Sequence, residues 1–144
     1  MSHLSHDASF AQCGSLAWQS MAASTPSGGL ALPCCAQCGH QFYPPQRFCP
    51  RCLHGHIDFV ADSGAAVVLS VTRLHHTLEP AFVSLLPLHV AAVRTDSDVT
   101  LFALADDMLA PGTRVRVSLS REAWAPAGVL RARCLASPEH GGPV

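Results

Sequence analysis

The sequence predicts a mainly β protein in which a helical N-terminal segment leads into a cysteine-rich ribbon and then a small five-stranded barrel. Three observations carry this. Two C-x2-C pairs stand ten residues apart within "CAQCGHQFYPPQRFCPRC" (35–52). Five short stretches of alternating apolar residues follow, divided by turn signals, with no long helix among them. Ahead of both, "ASFAQCGSLAWQSMAA" (8–23) sets Phe10, Gly14, Ala17, Trp18 and Met21 on roughly one helical stripe, which "STPSGG" (24–29) ends by turn chemistry. Such a helix either packs on the domain or docks on a partner.

At 144 residues the chain has room for one domain, or one small domain with an appendage. It is 49% hydrophobic and only 13% charged, against roughly 25% charged in ordinary globular domains. Lysine is absent, so arginine supplies every basic side chain, and the formal net charge is −1. That balance excludes a global attraction to nucleic acid or an anionic membrane. Few charges and much apolar surface imply that part of the exterior meets another protein. No apolar run approaches the roughly 20 residues of a membrane span. "MSHLSHDASFAQCG" has neither a basic n-region nor an apolar h-region, so no signal peptide is read and the expected compartment is the cytoplasm. Seven cysteines there point to metal ligands or buried thiols rather than disulfides.

Each C-x2-C turn directs two thiolates to one side, and two such knuckles complete a tetrahedral sulfur shell of the kind that suits zinc. The predicted ligands are Cys35, Cys38, Cys49 and Cys52. Gly39 follows one pair, where the backbone often needs positive φ, and Pro50 stiffens the other. "HQFYPPQRF" between them forms a short hairpin-like excursion with Pro44-Pro45 at its tip. Cys34 abuts Cys35 and could replace it, although C-x3-C fits a knuckle less well. His40, His54 and His56 lie near enough to compete, yet a complete sulfur shell leaves them no vacancy. A closed shell of this kind is structural rather than catalytic.

The predicted strands are 65–76, 88–95, 99–105, 113–120 and 128–136. "DSD" (96–98) turns the second into the third. Five short strands with this spacing fit the OB-fold, and the longer connection 77–87 is a candidate ligand or partner loop. If Val115, Val117 and Leu119 face inward, Arg114 and Arg116 face out. With Leu130, Ala132 and Cys134 inward, Arg131 and Arg133 face out as well. Paired as a hairpin across "REAWAPA", these strands would set four guanidinium groups on one face, where like charges repel. Either nearby carboxylates such as Glu122 offset them, or a partner's acidic surface or a phosphate-bearing ligand does.

No Ser/His/Asp order, Gly-rich phosphate loop or HExxH is present, so an independent enzyme is not expected. His75 and His76 end a strand facing opposite ways and cannot both serve one site. Cys13, Cys34 and Cys134 lie outside the zinc shell. A single-stranded nucleic-acid module is the competing reading, because zinc ribbons and OB-folds both bind single strands. The strands offer it only Phe102, no lysine and a negative net charge.

"GGLALPCCAQCGHQFYPPQRFCPRC", "SGAAVVLSVTRLHH", "LLPLHVAAVRTDSDVTLFALAD" and "APGTRVRVSL" follow one another as the landmarks of the DUF35 family, which the chain resembles over about residues 15–136. The resemblance implies an N-terminal helical segment with its linker (1–29), a rubredoxin-like zinc ribbon (30–60), a C-terminal OB-fold (61–138) and a flexible tail (139–144). It implies zinc on Cys35, Cys38, Cys49 and Cys52, and no catalytic residue. Family members are small non-catalytic subunits of acyl-CoA enzymes, so the resemblance implies a hetero-oligomer with a thiolase-like, aldolase or hydratase partner. The expected ligand is then a CoA thioester, with Arg114, Arg116, Arg131 and Arg133 as candidate contacts to its phosphates. The chain departs from the family in its short, "STPSGG"-interrupted N-terminal segment and in "SGAAVV", where a glycine and an aromatic often stand.

Overall fold

The computed structural model describes residues 14–135. Helix α1 runs over Leu16–Ser24. Ser15 caps it, its side chain accepting from the Trp18 N–H at 3.1 Å, and residues 8–13 of the expected helical stripe lie outside the described residues. Gly14 just before has φ +66° and turns the chain away from a helical path. Thr25 and Pro26 end the helix as the turn chemistry predicts. Phe10 and Cys13, and the tail 139–144, lie outside the described residues.

Two antiparallel strands, β1 (Leu30–Cys35) and β2 (Ile57–Asp62), form the base of the ribbon. The remaining strands are β3 (Ala65–Leu74), β4 (Leu88–Thr95), β5 (Thr100–Ala105), β6 (Arg114–Glu122) and β7 (Ala125–Cys134). They close into a barrel in the order β3-β4-β5-β7-β6, with β3 pairing back onto β6. All neighbours are antiparallel except β5 and β7. This is a five-stranded OB-like barrel, as expected. One helical turn, α2 (Pro80–Val83), occupies the long β3–β4 connection. No helix among the described residues is long and apolar enough to cross a membrane.

The alternation of β6 reads true: Val115, Val117 and Leu119 are buried, and Arg114 and Arg116 are exposed. In β7, Leu130 and Ala132 are buried, but Cys134 is exposed rather than inward. Its pairing with β6 continues opposite Val115, whereas β5 accompanies β7 only as far as Ala132. Cys134 therefore extends past the closed part of the barrel, where no neighbouring strand among the described residues covers the inward phase.

Helix, ribbon base and barrel share one core. Met21 and Ala22 of α1 and Leu30 and Leu32 of β1 belong to the same buried cluster as Val68, Val93, Leu101, Val115 and Val117. Burying side chains of this size contributes about 1.5–3 kcal/mol each, so α1 is an integral wall of the domain. The Arg121 guanidinium donates to the Ala22 carbonyl at 2.6 Å, satisfying a helix-end acceptor. Both ends of the ribbon segment are tied to β6. Leu119 N–H donates to the Gly29 carbonyl (2.9 Å) and Val117 N–H to the Gly64 carbonyl (2.8 Å).

Gly64 has φ +78°, and a Cβ there would sit 2.2 Å from the Val117 carbonyl oxygen. That neighbour is backbone and cannot swing aside. Gly64→Ala is therefore expected to destabilise the fold by about 2–4 kcal/mol, combining left-handed strain with overpacking. Urea unfolding of the zinc-loaded protein measures this, with Gly112→Ala as control, since it shares a positive φ but has open space around it.

Candidate metal centre and arginine face

The four predicted cysteines converge. The sulfurs of Cys35, Cys38, Cys49 and Cys52 all lie within 4.8 Å of one another. Cys35 Sγ is 3.5 Å from Cys52 Sγ, and Cys38 Sγ is 3.7 Å from Cys49 Sγ. A disulfide would need about 2.05 Å, so these thiols are not oxidised pairs. Four sulfurs each 2.3 Å from a central zinc have tetrahedral edges of about 3.8 Å, and the observed separations match. The residues present fit a zinc ion.

The two knuckles repeat one another fourteen residues apart in sequence. Cys35 N–H donates to the His40 carbonyl, and Cys49 N–H to that of His54, both at 2.9 Å. Gly39 N–H donates back to the Cys35 carbonyl at 2.9 Å, and Leu53 N–H to that of Cys49 at 2.8 Å. The N–H groups of Gln37 and Cys38 point at Cys35 Sγ (3.3 and 3.4 Å), as those of Arg51 and Cys52 point at Cys49 Sγ (3.3 and 3.5 Å). Both turns need positive φ at the residue after the second ligand: Gly39 has +76°, and Leu53 has +66°. Leucine pays strain there that glycine avoids.

Electrostatics follow from this geometry. Burial raises the Cys49 thiol, but the N–H donors of Cys52 and Arg51 outweigh it and bring the pKa to about 7. Cys35 is lowered in the same way, its burial outweighed by the N–H groups of Cys38 and Gln37. The inner pair, buried at the base of the knuckles, is thus disposed to be thiolate, which a bound cation would favour further.

Cys34 stays out of the cluster. Its sulfur lies 3.6 Å from the Gly39 carbonyl, and burial, followed by the Asp58 charge, raises its thiol. The histidines are engaged elsewhere: His40 stacks on Phe42, His54 Nδ1 accepts from the His56 N–H, and His56 pairs with Asp58 at 3.0 Å. His75 and His76 are exposed beyond the end of β3.

The second candidate set, on β6 and β7, divides in two. Arg116 and Arg133 face each other directly across the ladder, and neither has an ion-pair partner among the described residues. Arg114 is held by Asp96 through two hydrogen bonds of 3.0 and 3.1 Å. Arg131 grips Glu122 through Nε and Nη2 and reaches Asp106 at 3.1 Å. The Arg131 hydrogen bonds, against a smaller burial effect, hold the Glu122 carboxyl below its ordinary range. Glu122 was legible in sequence as a compensating carboxylate. Asp96 and Asp106 were not, because only barrel closure brings the β4–β5 turn and the end of β5 to this face.

A zinc ribbon whose base shares its core with an OB-like barrel defines the class of protein. Residues 24–59 match the profile of the ChsH2 rubredoxin-like zinc ribbon domain. The fold is that of the chain in a solved structure described as an Ltp2-ChsH2(DUF35) aldolase: TM-score 0.63, 23% identity, covering 83% of this chain and 92% of that one. A DUF35 protein of unknown function from Sulfolobus solfataricus is also similar, at TM-score 0.49 and 18% identity, over 81% of each chain. No curated protein matches the chain. The zinc-ribbon profile and the fold shared with the Ltp2-ChsH2(DUF35) chain agree with the DUF35 resemblance read from the sequence.

Two predictions arise here. Cys38→Ser is expected to surrender zinc to a chelator that Cys34→Ser withstands, because only Cys38 belongs to the shell. For both the parent chain and Cys34→Ser, zinc affinity falls as pH is lowered, most steeply below about 7, where protons also reclaim Cys49. Competition titration from pH 8 to 5 measures it. Separately, a carboxylate with a depressed pKa stabilises above its unfolded pKa and loses that contribution as pH falls through the folded value. Glu122→Gln is expected to cost about 1–3 kcal/mol at pH 7 and much less near pH 3, by urea unfolding at both pH values.

Proposed function

We propose that the protein is a non-catalytic accessory subunit of an acyl-CoA-processing complex in the cytoplasm, paired with a thiolase-like, aldolase or hydratase enzyme in a hetero-oligomer. The observation that carries this reading is the shared ribbon-and-barrel fold, since the solved chain with that fold is described as part of an Ltp2-ChsH2(DUF35) aldolase. The metal centre supports it. Four protein sulfurs fill a tetrahedral shell and leave no position for a substrate oxygen, so zinc holds the ribbon and the chemistry belongs to the partner.

A CoA thioester is the ligand this reading assigns to the complex. Its phosphates would meet the face of Arg114, Arg116, Arg131 and Arg133. Arg116 and Arg133 are the natural grips, because Arg114 and Arg131 already spend their guanidinium donors on Asp96, Glu122 and Asp106.

Affinity capture of the tagged full-length chain from its native host tests the assembly, with mass spectrometry of what co-elutes. An acyl-CoA enzyme in fixed stoichiometry is expected; a chain that elutes alone contradicts it. For the arginine face, the double variant Arg116→Glu/Arg133→Glu is expected to weaken CoA-ester binding to the complex by about 100-fold, as for two lost charge-assisted contacts. Unchanged affinity by calorimetry would remove these residues from the site.

A further inference from the structure

The two knuckles share one backbone pattern but not one surface. They correspond position by position, since Cys35 N–H closes on the His40 carbonyl as Cys49 N–H closes on that of His54. The first shows what the metal requires: a neutral Gln37 and, at the left-handed position, Gly39 with φ +76°. In the second, Arg51 stands where the first has Gln37, and Leu53 where it has Gly39. Leu53 takes φ +66°, a conformation costly for a residue with a Cβ. Its side chain is 74% exposed, so burial within the chain recovers little of that cost. A residue that strains its turn and buries so little calls for a contact outside the chain.

The surroundings of Leu53 define the contact. Phe48 is 54% exposed, and its ring lies against the end of the same turn, where a Cβ on Gly55 would stand 3.4 Å from Phe48 Cε1. The Arg47 guanidinium carbon is 5.8 Å from the centroid of that ring. Residues 36–57 carry Arg47 and Arg51 and no aspartate or glutamate. Neither arginine has an ion pair among the described residues, whereas Arg94, Arg114 and Arg131 each find a carboxylate. Exposed apolar side chains among arginines have the make-up of a protein interface. The complement is an apolar depression rimmed by carboxylates, which guanidinium grips through paired hydrogen bonds. A nucleic acid or an anionic membrane fits less well. Both are drawn by a net positive field, and a zinc ion held by four thiolates is itself net negative beside these arginines.

We propose that the Cys49–His54 knuckle is an interaction surface for an acidic, apolar-centred patch on the partner enzyme, with Leu53 and Phe48 seated in the apolar centre and Arg47 and Arg51 paired with its carboxylates. The surface stands on the contrast between the two knuckles; that its occupant is an acyl-CoA enzyme rests on the reading above.

The experiment places the photo-crosslinker p-benzoylphenylalanine at Phe48 of the full-length chain in its native host and sequences the crosslinked peptides by mass spectrometry. The same probe at Gln37 reports on the first knuckle. A stronger crosslink from position 48 than from 37 is expected, to a segment of the enzyme that carries aspartate or glutamate beside apolar residues. The double variant Arg51→Gln/Leu53→Gly then gives the second knuckle the side chains of the first. It is expected to bind zinc as the parent does and to keep or raise the urea midpoint, because the strain at position 53 is relieved. Its affinity for the crosslinked enzyme, purified and measured by calorimetry, is expected to fall by about 10- to 100-fold. If the double variant loses zinc, Arg47→Glu, outside both knuckle turns, decides by the same affinity measurement. No crosslink from position 48, equal yields from both knuckles, a crosslinked segment without acidic residues, or unchanged affinity overturns the proposal. So does crosslinking to a second copy of this chain, to nucleic acid or to lipid, which gives the knuckle to that occupant. A crosslink to an acidic patch on a protein that is not an acyl-CoA enzyme overturns the proposed function and the occupant's identity, not the surface. Host capture of an acyl-CoA enzyme whose affinity these variants leave unchanged overturns the surface alone.

Discussion

Four sulfurs within 4.8 Å of one another are a constraint that the rest of the ribbon serves. Left as thiolates without a cation they would repel strongly, and left as thiols they would hold the two knuckles only weakly. A divalent ion at their centre would turn that crowding into attraction between the two knuckles. A segment of this length has too little apolar surface to fold by burial alone, so metal binding and ribbon folding are one event. The duplicated backbone pattern around Cys35 and Cys49 shows how the chain prepares for it. Each inner sulfur receives two N–H groups, which favour the charged form before the metal arrives.

What the metal holds is then carried into the barrel by backbone. Gly29 enters the ribbon and Gly64 leaves it, and both carbonyls accept from β6. Leu30 and Leu32 extend the barrel's core into the ribbon base, and Met21 extends it into the helix. The consequence is a rigid unit of three parts, with the ribbon excursion, the helix and the barrel meeting at one cleft. For the accessory role proposed above, such a shared core would mean that little ordering entropy is lost on docking.

Local and periodic features were legible in the sequence. The C-x2-C spacing picked out the four cysteines whose sulfurs converge, Cys35 rather than Cys34 among them, since closure through the Gln37 and Cys38 N–H groups needs the shorter spacing. Alternation placed Val115, Val117 and Leu119 inside, and "DSD" marked the β4–β5 turn, where Asp98 takes φ +67°. What escaped was set by contacts between distant segments. Cys134 obeys the alternation of β7 yet lies exposed, because coverage depends on how far β5 runs beside it. Ser15 caps the helix inside the apolar stripe, a break that the periodicity alone did not mark. The arginine face was foreseen, but its division into paired Arg114 and Arg131 and unpaired Arg116 and Arg133 depends on where Asp96 and Asp106 arrive. The cleft belongs to this second kind, since Trp18, Tyr43 and Phe102, which line it, come from three separate stretches of sequence.

The account rests on one metal ion bound by sulfur alone. X-ray absorption at the zinc edge of protein purified under reducing conditions tests it most directly. One zinc per chain is predicted, with a first shell of four sulfurs at about 2.3 Å. A shell containing nitrogen or oxygen, or a folded protein without zinc whose four cysteines all react freely with a thiol reagent, would contradict it.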